Sequence, residues 1–213
     1  MGRRARRHAP LKAAGTMTLM ALFFVAYFAL LRSPQFPVTP MPVTALDRWL
    51  PFQPAALPLY ASLWLYVSLP PAFILERRRL VAYGWAIASL CAAGLLIFLV
   101  WPTATPAALV DWDRHPAFAM LKGLDTNGNA CPSLHVATAA FSACWLHRLL
   151  REMGAGRAVL AGNALWCAAI VYSTLATKQH VLVDVVGGLA LSALWLAAAG
   201  PRALAQAKLE QAA

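Results

Sequence analysis

Apolar positions in this chain gather into long uncharged runs. They show neither the alternation of a half-buried strand nor the narrow stripe of a surface helix. Six runs stand out: residues 13–31, about 55–75, 80–101, 132 to about 150, 158–177 and 181–199. A helix needs about 20 mostly apolar residues to cross a bilayer, so each run is read as one spanning helix. Between the first two lies a loop at 32–54 carrying Pro34, Pro37, Pro40, Pro42, Pro51 and Pro54, too rich in proline for a long helix. Pro70-Pro71 should kink the second span or end it early. A long connection, 102–131, precedes the fourth. The expected architecture is an all-α integral membrane protein, a bundle of six transmembrane helices. Residues 1–12 form a basic N-terminus, 13–199 a single membrane domain and 200–213 a short polar tail.

Charge orients these spans. The chain is 61% hydrophobic and 12% charged, with a formal net charge of +10. In a soluble protein that charge would suggest nucleic acid. Here the basic residues sit in the short connections, so nucleic acid is not expected as a partner. With the N-terminus in the cytoplasm, the inner segments hold Arg3, Arg4, Arg6, Arg7, Lys12, Arg77, Arg78, Arg79, Arg148, Arg151, Arg157, Arg202 and Lys208. The outer segments hold only Arg32, Arg48, Arg114, Lys122 and Lys178. That asymmetry follows the positive-inside rule, so both termini are expected to be cytoplasmic. The first run could be a secretory signal. It is long, however, and no small-x-small cleavage site follows it, so a retained helix is expected. Asp47-Arg48-Trp49 in the first outer loop looks interfacial. The four cysteines show no CxxC pair and no metal spacing, so no disulfide framework is expected. Asp125 to Asn129 begins like a calcium loop but lacks its later oxygen ligands.

Two constellations fall on the same outer face. His180 and Asp184 stand four residues apart, within reach of each other on a helix. A carboxylate on one imidazole nitrogen fixes the tautomer and leaves the other nitrogen free as base or nucleophile. Asp184 lies in an otherwise apolar stretch, where an ionisable group marks a functional site by default. The second constellation, Asn129-Ala130-Cys131-Pro132-Ser133-Leu134-His135, opens the fourth span, with Pro132 suited to the first helical position. A helix N-terminus has free backbone N–H groups and partial positive charge, which suits an anion. Ser133 adds a hydroxyl and His135 a titratable ring. An anion cradle beside two histidines points to phosphoryl transfer, one histidine attacking phosphorus and the other protonating the leaving oxygen. The same residues leave other readings open. Asp184 could pair with Lys178 as a structural ion pair, or the two histidines and Asp184 could bind zinc. The His–Asp pair could also relay protons in a small transporter.

Pro132-Ser133-Leu134-His135 and Ser173-x6-His180-x3-Asp184 resemble the second and third motifs of the type 2 phosphatidic acid phosphatase superfamily, Pro-Ser-Gly-His and Ser-Arg-x5-His-x3-Asp. The resemblance covers the sequence from Asp125 onward. It implies a six-helix membrane enzyme that needs no metal or cofactor and works through a phosphohistidine. His180 would then be the nucleophile and Asp184 its orienting partner. His135 would be the acid for the leaving group and later the base for the acceptor. Ser133 would bind phosphate oxygens. The superfamily's first motif, Lys-x6-Arg-Pro, is absent, and Thr174 and Leu134 replace the usual Arg and Gly. Those departures look like the inositol phosphorylceramide synthase-like branch.

With the motif cations gone, other groups must neutralise phosphate. Lys178 stands first, with Arg48, Arg114 and Lys122 from the outer loops behind it. Asn129 and Asn127 can donate hydrogen bonds, and Ser173 and Thr174 flank the nucleophile's loop. The expected activity is a lipid phosphatase at the non-cytoplasmic face of a membrane, such as a bacterial cytoplasmic membrane, passing phosphate from a phosphorylated lipid to His180 and then to water. The alternative is a head-group transferase with a lipid or polyol hydroxyl as acceptor.

Overall fold

The computed structural model describes residues 4, 6–108, 110–118 and 128–211, and it is mostly helical. In chain order the elements are α1 (Ala9–Arg32), β1 (Thr39–Pro40), α2 (Ala45–Trp49), α3 (Leu57–Ala61), α4 (Leu63–Phe73), α5 (Arg77–Val100), β2 (Thr103–Ala104), α6 (Leu134–Glu152), α7 (Arg157–Ala176) and α8 (Leu182–Gln211). Three of them, α1, α5 and α7, are long and apolar enough to cross a membrane, and Leu182–Ala198 of α8 is a shorter apolar helix.

The second apolar run passes from α3 to α4 at Ser62, whose backbone stays right-handed helical (φ −64°, ψ −13°), and it is not broken at its proline pair. Pro70 and Pro71 lie inside α4, near its end at Phe73. Two missing N–H groups cost little there, because few helical bonds remain to be made. The Val67 carbonyl, four residues before Pro71, instead accepts from the Tyr83 hydroxyl on α5 at 3.5 Å. The tail read as polar and short continues α8 as helix to Gln211. Its Ala, Leu, Lys, Glu and Gln are strong helix formers.

Helix α6 is the hub and packs on α4, α5, α7 and α8. Val136, Ala137, Ala139 and Phe141 on it are fully buried. With Leu90 and Phe98 of α5 it fills one core, and with Tyr66 of α4 and Ile170 of α7 a second. One buried polar link crosses three helices: the Tyr66 hydroxyl donates to Asn163 Oδ1 at 2.7 Å, and Asn163 Nδ2 donates to the Ala143 carbonyl at 3.1 Å. Large apolar side chains face outward around the bundle, among them Leu22, Trp85, Leu96, Leu165 and Leu194. A surface of that kind suits lipid rather than water.

Alternation did not reveal a small sheet that ties two connections together. β1 and β2 pair in parallel, Thr39 opposite Thr103 and Pro40 opposite Ala104. Thr103 then organises the chain before α6. Its hydroxyl accepts from the amides of Ala130 and Cys131 at 3.1 and 2.8 Å and donates to the Cys131 carbonyl. The connections therefore form a platform at the end of the bundle where α6 begins. At the opposite end, Arg79 and Glu152 join α5 to α6 through two hydrogen bonds of 2.6 and 2.7 Å.

Candidate functional site

The platform holds two helix starts together. α6 begins after Ser133, whose hydroxyl accepts from the Val136 amide at 3.2 Å as an N-cap. Pro132 therefore precedes the cap and does not fill the first helical position. α8 begins at Leu182, so His180 lies just outside it and Asp184 within its first turn. Their contact comes from a cap rather than from one helical face. Asp184 Oδ2 accepts from the Val181 amide at 3.0 Å, as one half of a capping box does, and from His180 Nδ1 at 3.3 Å. The Thr105 hydroxyl approaches the same oxygen at 3.4 Å. Asp184 is fully buried and the His180 side chain is 12% exposed. With its Nδ1–H donated to the carboxylate, His180 keeps the Nε2 lone pair free.

The two starts are joined directly. The Ser133 amide donates to the Asp184 carbonyl at 3.0 Å. Gly187 and Gly188 allow this approach. A Cβ on Gly188 would collide with the Ser133 carbonyl oxygen and stand 3.1 Å from Val136 Cβ, and one on Gly187 would stand 3.1 Å from Cys131 Sγ. Gly188→Ala is therefore expected to cost about 1–3 kcal/mol of stability and to lower activity by parting the two helix starts. Gly15→Ala on α1, where a Cβ meets nothing, is expected to do neither. Thermal melting and turnover on both variants check this.

His135 stacks on Tyr60 of α3 with ring centroids 4.1 Å apart and an interplanar angle of 19°. The Tyr60 backbone takes a hydrogen bond with the ring. Among the described residues, His135 Nε2 is buried without a hydrogen-bond partner, as is Asp184 Oδ1. His135 and His180 line one cavity of about 310 Å³, and Asn129 stands at the same end. Asn129 is buried with φ 51°, and its Nδ2 donates to the Tyr27 carbonyl of α1 at 2.9 Å.

The remaining sequence candidates lie elsewhere. Lys178, at φ 56°, donates from Nζ to the carbonyls of Asp47 and Leu50 on the first connection. Ser173 and Thr174 are buried, with hydroxyls on the Ile170 and Val171 carbonyls. The Thr174 carbonyl accepts from the Gln179 and His180 amides and so shapes the His180 loop. Arg48 is exposed and bonds the Val43 carbonyl, and exposed Arg114 pairs with Asp111 at 2.9 Å. Lys122 and Asn127 lie outside the described residues. Among the described residues no group of three His, Cys, Asp or Glu side chains is placed to hold a metal ion.

Asp47 departs from the interfacial reading. Trp49 does face outward, 79% exposed, but Asp47 is buried. Its Oδ2 accepts from Thr44 to close the capping box of α2, and its Oδ1 accepts from the Leu182 amide at 2.9 Å. It thus supplies an anion and an acceptor at the first turn of α8, and its carbonyl accepts from Lys178 Nζ. Thr105, Tyr60 and Asp47 carry no local signal for these roles, since each acts across a long sequence separation. The Cys131 thiol beside Pro132 is held up to about 11, by burial first and then by the Asp184 charge, so it stays neutral at ordinary pH.

A family model described as the PAP2 superfamily matches residues 45–199, and the chain belongs to that superfamily. No curated protein and no solved structure matches the chain. Membership supports an enzyme of phosphatase or phosphotransferase type acting on lipid in a bilayer.

Proposed function

We propose that this superfamily member is a membrane lipid phosphatase that works through a phosphohistidine at His180. The observation that carries the reading is that His135 and His180 line one cavity while His180 Nδ1 rests on buried Asp184. His180 Nε2 attacks phosphorus, forming a P–N bond as the P–O bond to the lipid breaks. His135 gives a proton to the departing oxygen, and the lipid leaves as an alcohol. Water then attacks phosphorus, His135 takes its proton, and phosphate leaves with restoration of His180. Asp184 fixes the His180 tautomer. The N-terminus of α6, Ser133 and Asn129 form the anion cradle. Lys178, Ser173 and Thr174 act from behind the His180 loop, Lys178 through its charge. No cofactor or metal enters the scheme.

The same proposal makes the chain a single domain at 13–199 with six spans and both termini in the cytoplasm. α3 and α4 run on through Ser62, whose backbone stays helical, as one span, and α6 is shielded by four neighbours. The charge distribution then turns the site to the non-cytoplasmic face, as in a bacterial inner membrane. The Pro-Ser-Leu-His sequence favours the inositol phosphorylceramide synthase-like branch.

The deciding experiment gives detergent-solubilised protein a panel of lipid phosphates, with and without alcohol acceptors, and with and without a chelator. Free phosphate, undiminished by the chelator, is expected. A new phospholipid with little free phosphate would identify a head-group transferase instead. Loss on chelation with rescue by zinc would overturn the phosphohistidine scheme.

A further inference from the structure

The cavity that holds the two histidines extends far beyond them. Along α1 its lining runs from Tyr27, whose carbonyl meets Asn129, down to Thr16. Those residues are eleven apart, about 16 Å at 1.5 Å per residue. Along α3 and α4 it runs from Tyr60 beside His135 to Pro71, the same distance. On α5 it reaches back to Tyr83, whereas on α6 it touches only the first turns, to Thr138. Three walls thus agree on one narrow chamber, polar at the histidine end and apolar along the rest, where Leu19, Phe23, Trp64 and Ile87 line it.

We propose that this chamber takes a single apolar tail of the phosphorylated substrate and measures its length, with Thr16 and Met20 of α1 at the end far from the histidines. The proposal rests on the phosphoryl-transfer reading for the head group and adds the class of tail, a one-chain rather than a two-chain lipid phosphate. Volume decides between them. About 310 Å³ lies at the bottom of the range for sites that enclose a drug-sized molecule, and α1, α3, α4, α5 and the first turns of α6 line it. A tail gains no hydrophobic energy by moving from lipid into protein, so selection comes from fit. Just beyond Thr16 and Pro71 the Lys12 Nζ bond to the Ala72 carbonyl ties α1 to α4, so a tail that is too long meets that link.

The wall that does the measuring belongs to this chain rather than to the family match, which begins at residue 45. Helix α1 is held in place at both ends. Asn129 grips it beside the histidines, and at the far end Lys12 Nζ donates to the Ala72 carbonyl of α4 at 2.9 Å. Phe24 and Phe28 line both the chamber and an open groove running along α1 to Arg32, which marks the way in from the bilayer.

The test uses the full chain in nanodiscs. Binding of monoalkyl phosphates of graded length and of a dialkyl phosphate is measured on the His180→Ala protein, and phosphate release on the otherwise wild-type protein. Binding is expected to favour one chain over two and to peak at one length. Thr16→Trp is expected to lower the long-to-short ratio at least about tenfold, the scale of one misfitting methylene in a pocket. Met20→Ala is expected to move the peak to longer tails, and stands if the tryptophan variant does not fold. Leu22→Trp, on the outward face of α1 at 66% exposure, is expected to leave the ratio alone. Binding that ignores length, equal affinity for two chains, or a ratio unmoved by both chamber variants would overturn the proposal. Length-selective binding without phosphate release would uphold the chamber and overturn the phosphatase chemistry.

Discussion

Replacing His180 with alanine is expected to lower turnover by roughly 10⁶-fold, the scale seen when a covalent nucleophile is removed, while the protein stays folded. The second half of that expectation follows from where the residue sits. The backbone of His180 is held by the Thr174 carbonyl, which alanine keeps. Asp184 Oδ2 retains the Val181 amide and the Thr105 hydroxyl, so the carboxylate is not stranded. The ring faces a cavity, and its loss leaves no gap in the packed core. Asp184→Asn makes a poorer test of the same idea. It too would disturb the tautomer of His180, but it would also weaken the cap of α8 and mix a folding defect with a chemical one. The measurements are phosphate release, acid-labile labelling of the protein by a radioactive lipid phosphate, and melting temperature. Loss of label and release with an unchanged melt would assign the nucleophile. Full activity in the variant would remove it from the mechanism.

The parts of this site that could be read from sequence are those whose signal is local. His180 and Asp184 announce themselves by spacing and by a charge within an apolar run. Pro132 to His135 does so by marking a helix start. The structure brings these together, though by a cap across the start of α8 rather than along a helical face, a distinction that spacing alone cannot make. The remaining support is non-local. Asp47 reaches the Leu182 amide from the first connection, Thr105 reaches Asp184 from the second, and Tyr60 meets His135 from another helix. Nothing in a five-residue window separates these from an ordinary interfacial aspartate, loop threonine or membrane tyrosine. Lys178 illustrates the converse. Its place two residues from His180 suggested a phosphate ligand, and its positive φ turns the chain so that Nζ meets the Asp47 and Leu50 carbonyls instead. Backbone handedness at one residue was invisible in the sequence. In the fold, long apolar runs located the helices well. In the second run the proline pair is the loudest signal, yet near the end of α4 it interrupts little.

His135→Ala is the second variant with a large expected effect, and the leaving group makes it diagnostic. A general acid contributes about 10²–10⁴-fold, and a lipid alkoxide is a poor leaving group that needs its proton. Turnover of a lipid phosphate should fall by that range. An aryl phosphate such as p-nitrophenyl phosphate leaves without protonation, so its first step, transfer to His180, should be nearly unaffected. The second step still needs a base for water, and His135 is also that base in the proposed scheme. The variant should therefore release one equivalent of p-nitrophenol quickly and then stall with the phosphoryl group on His180. Stopped-flow absorbance shows the burst, and acid-labile label on the protein shows the trapped intermediate. The position of the ring supports this double duty. Among the described residues Nε2 is buried without a hydrogen-bond partner, which leaves it to exchange a proton with what enters the cavity, while stacking on Tyr60 at 4.1 Å keeps the ring from turning away. Equal losses for lipid and aryl substrates, without a burst, would instead give His135 a part in binding phosphate and leave the leaving group to be protonated by another donor.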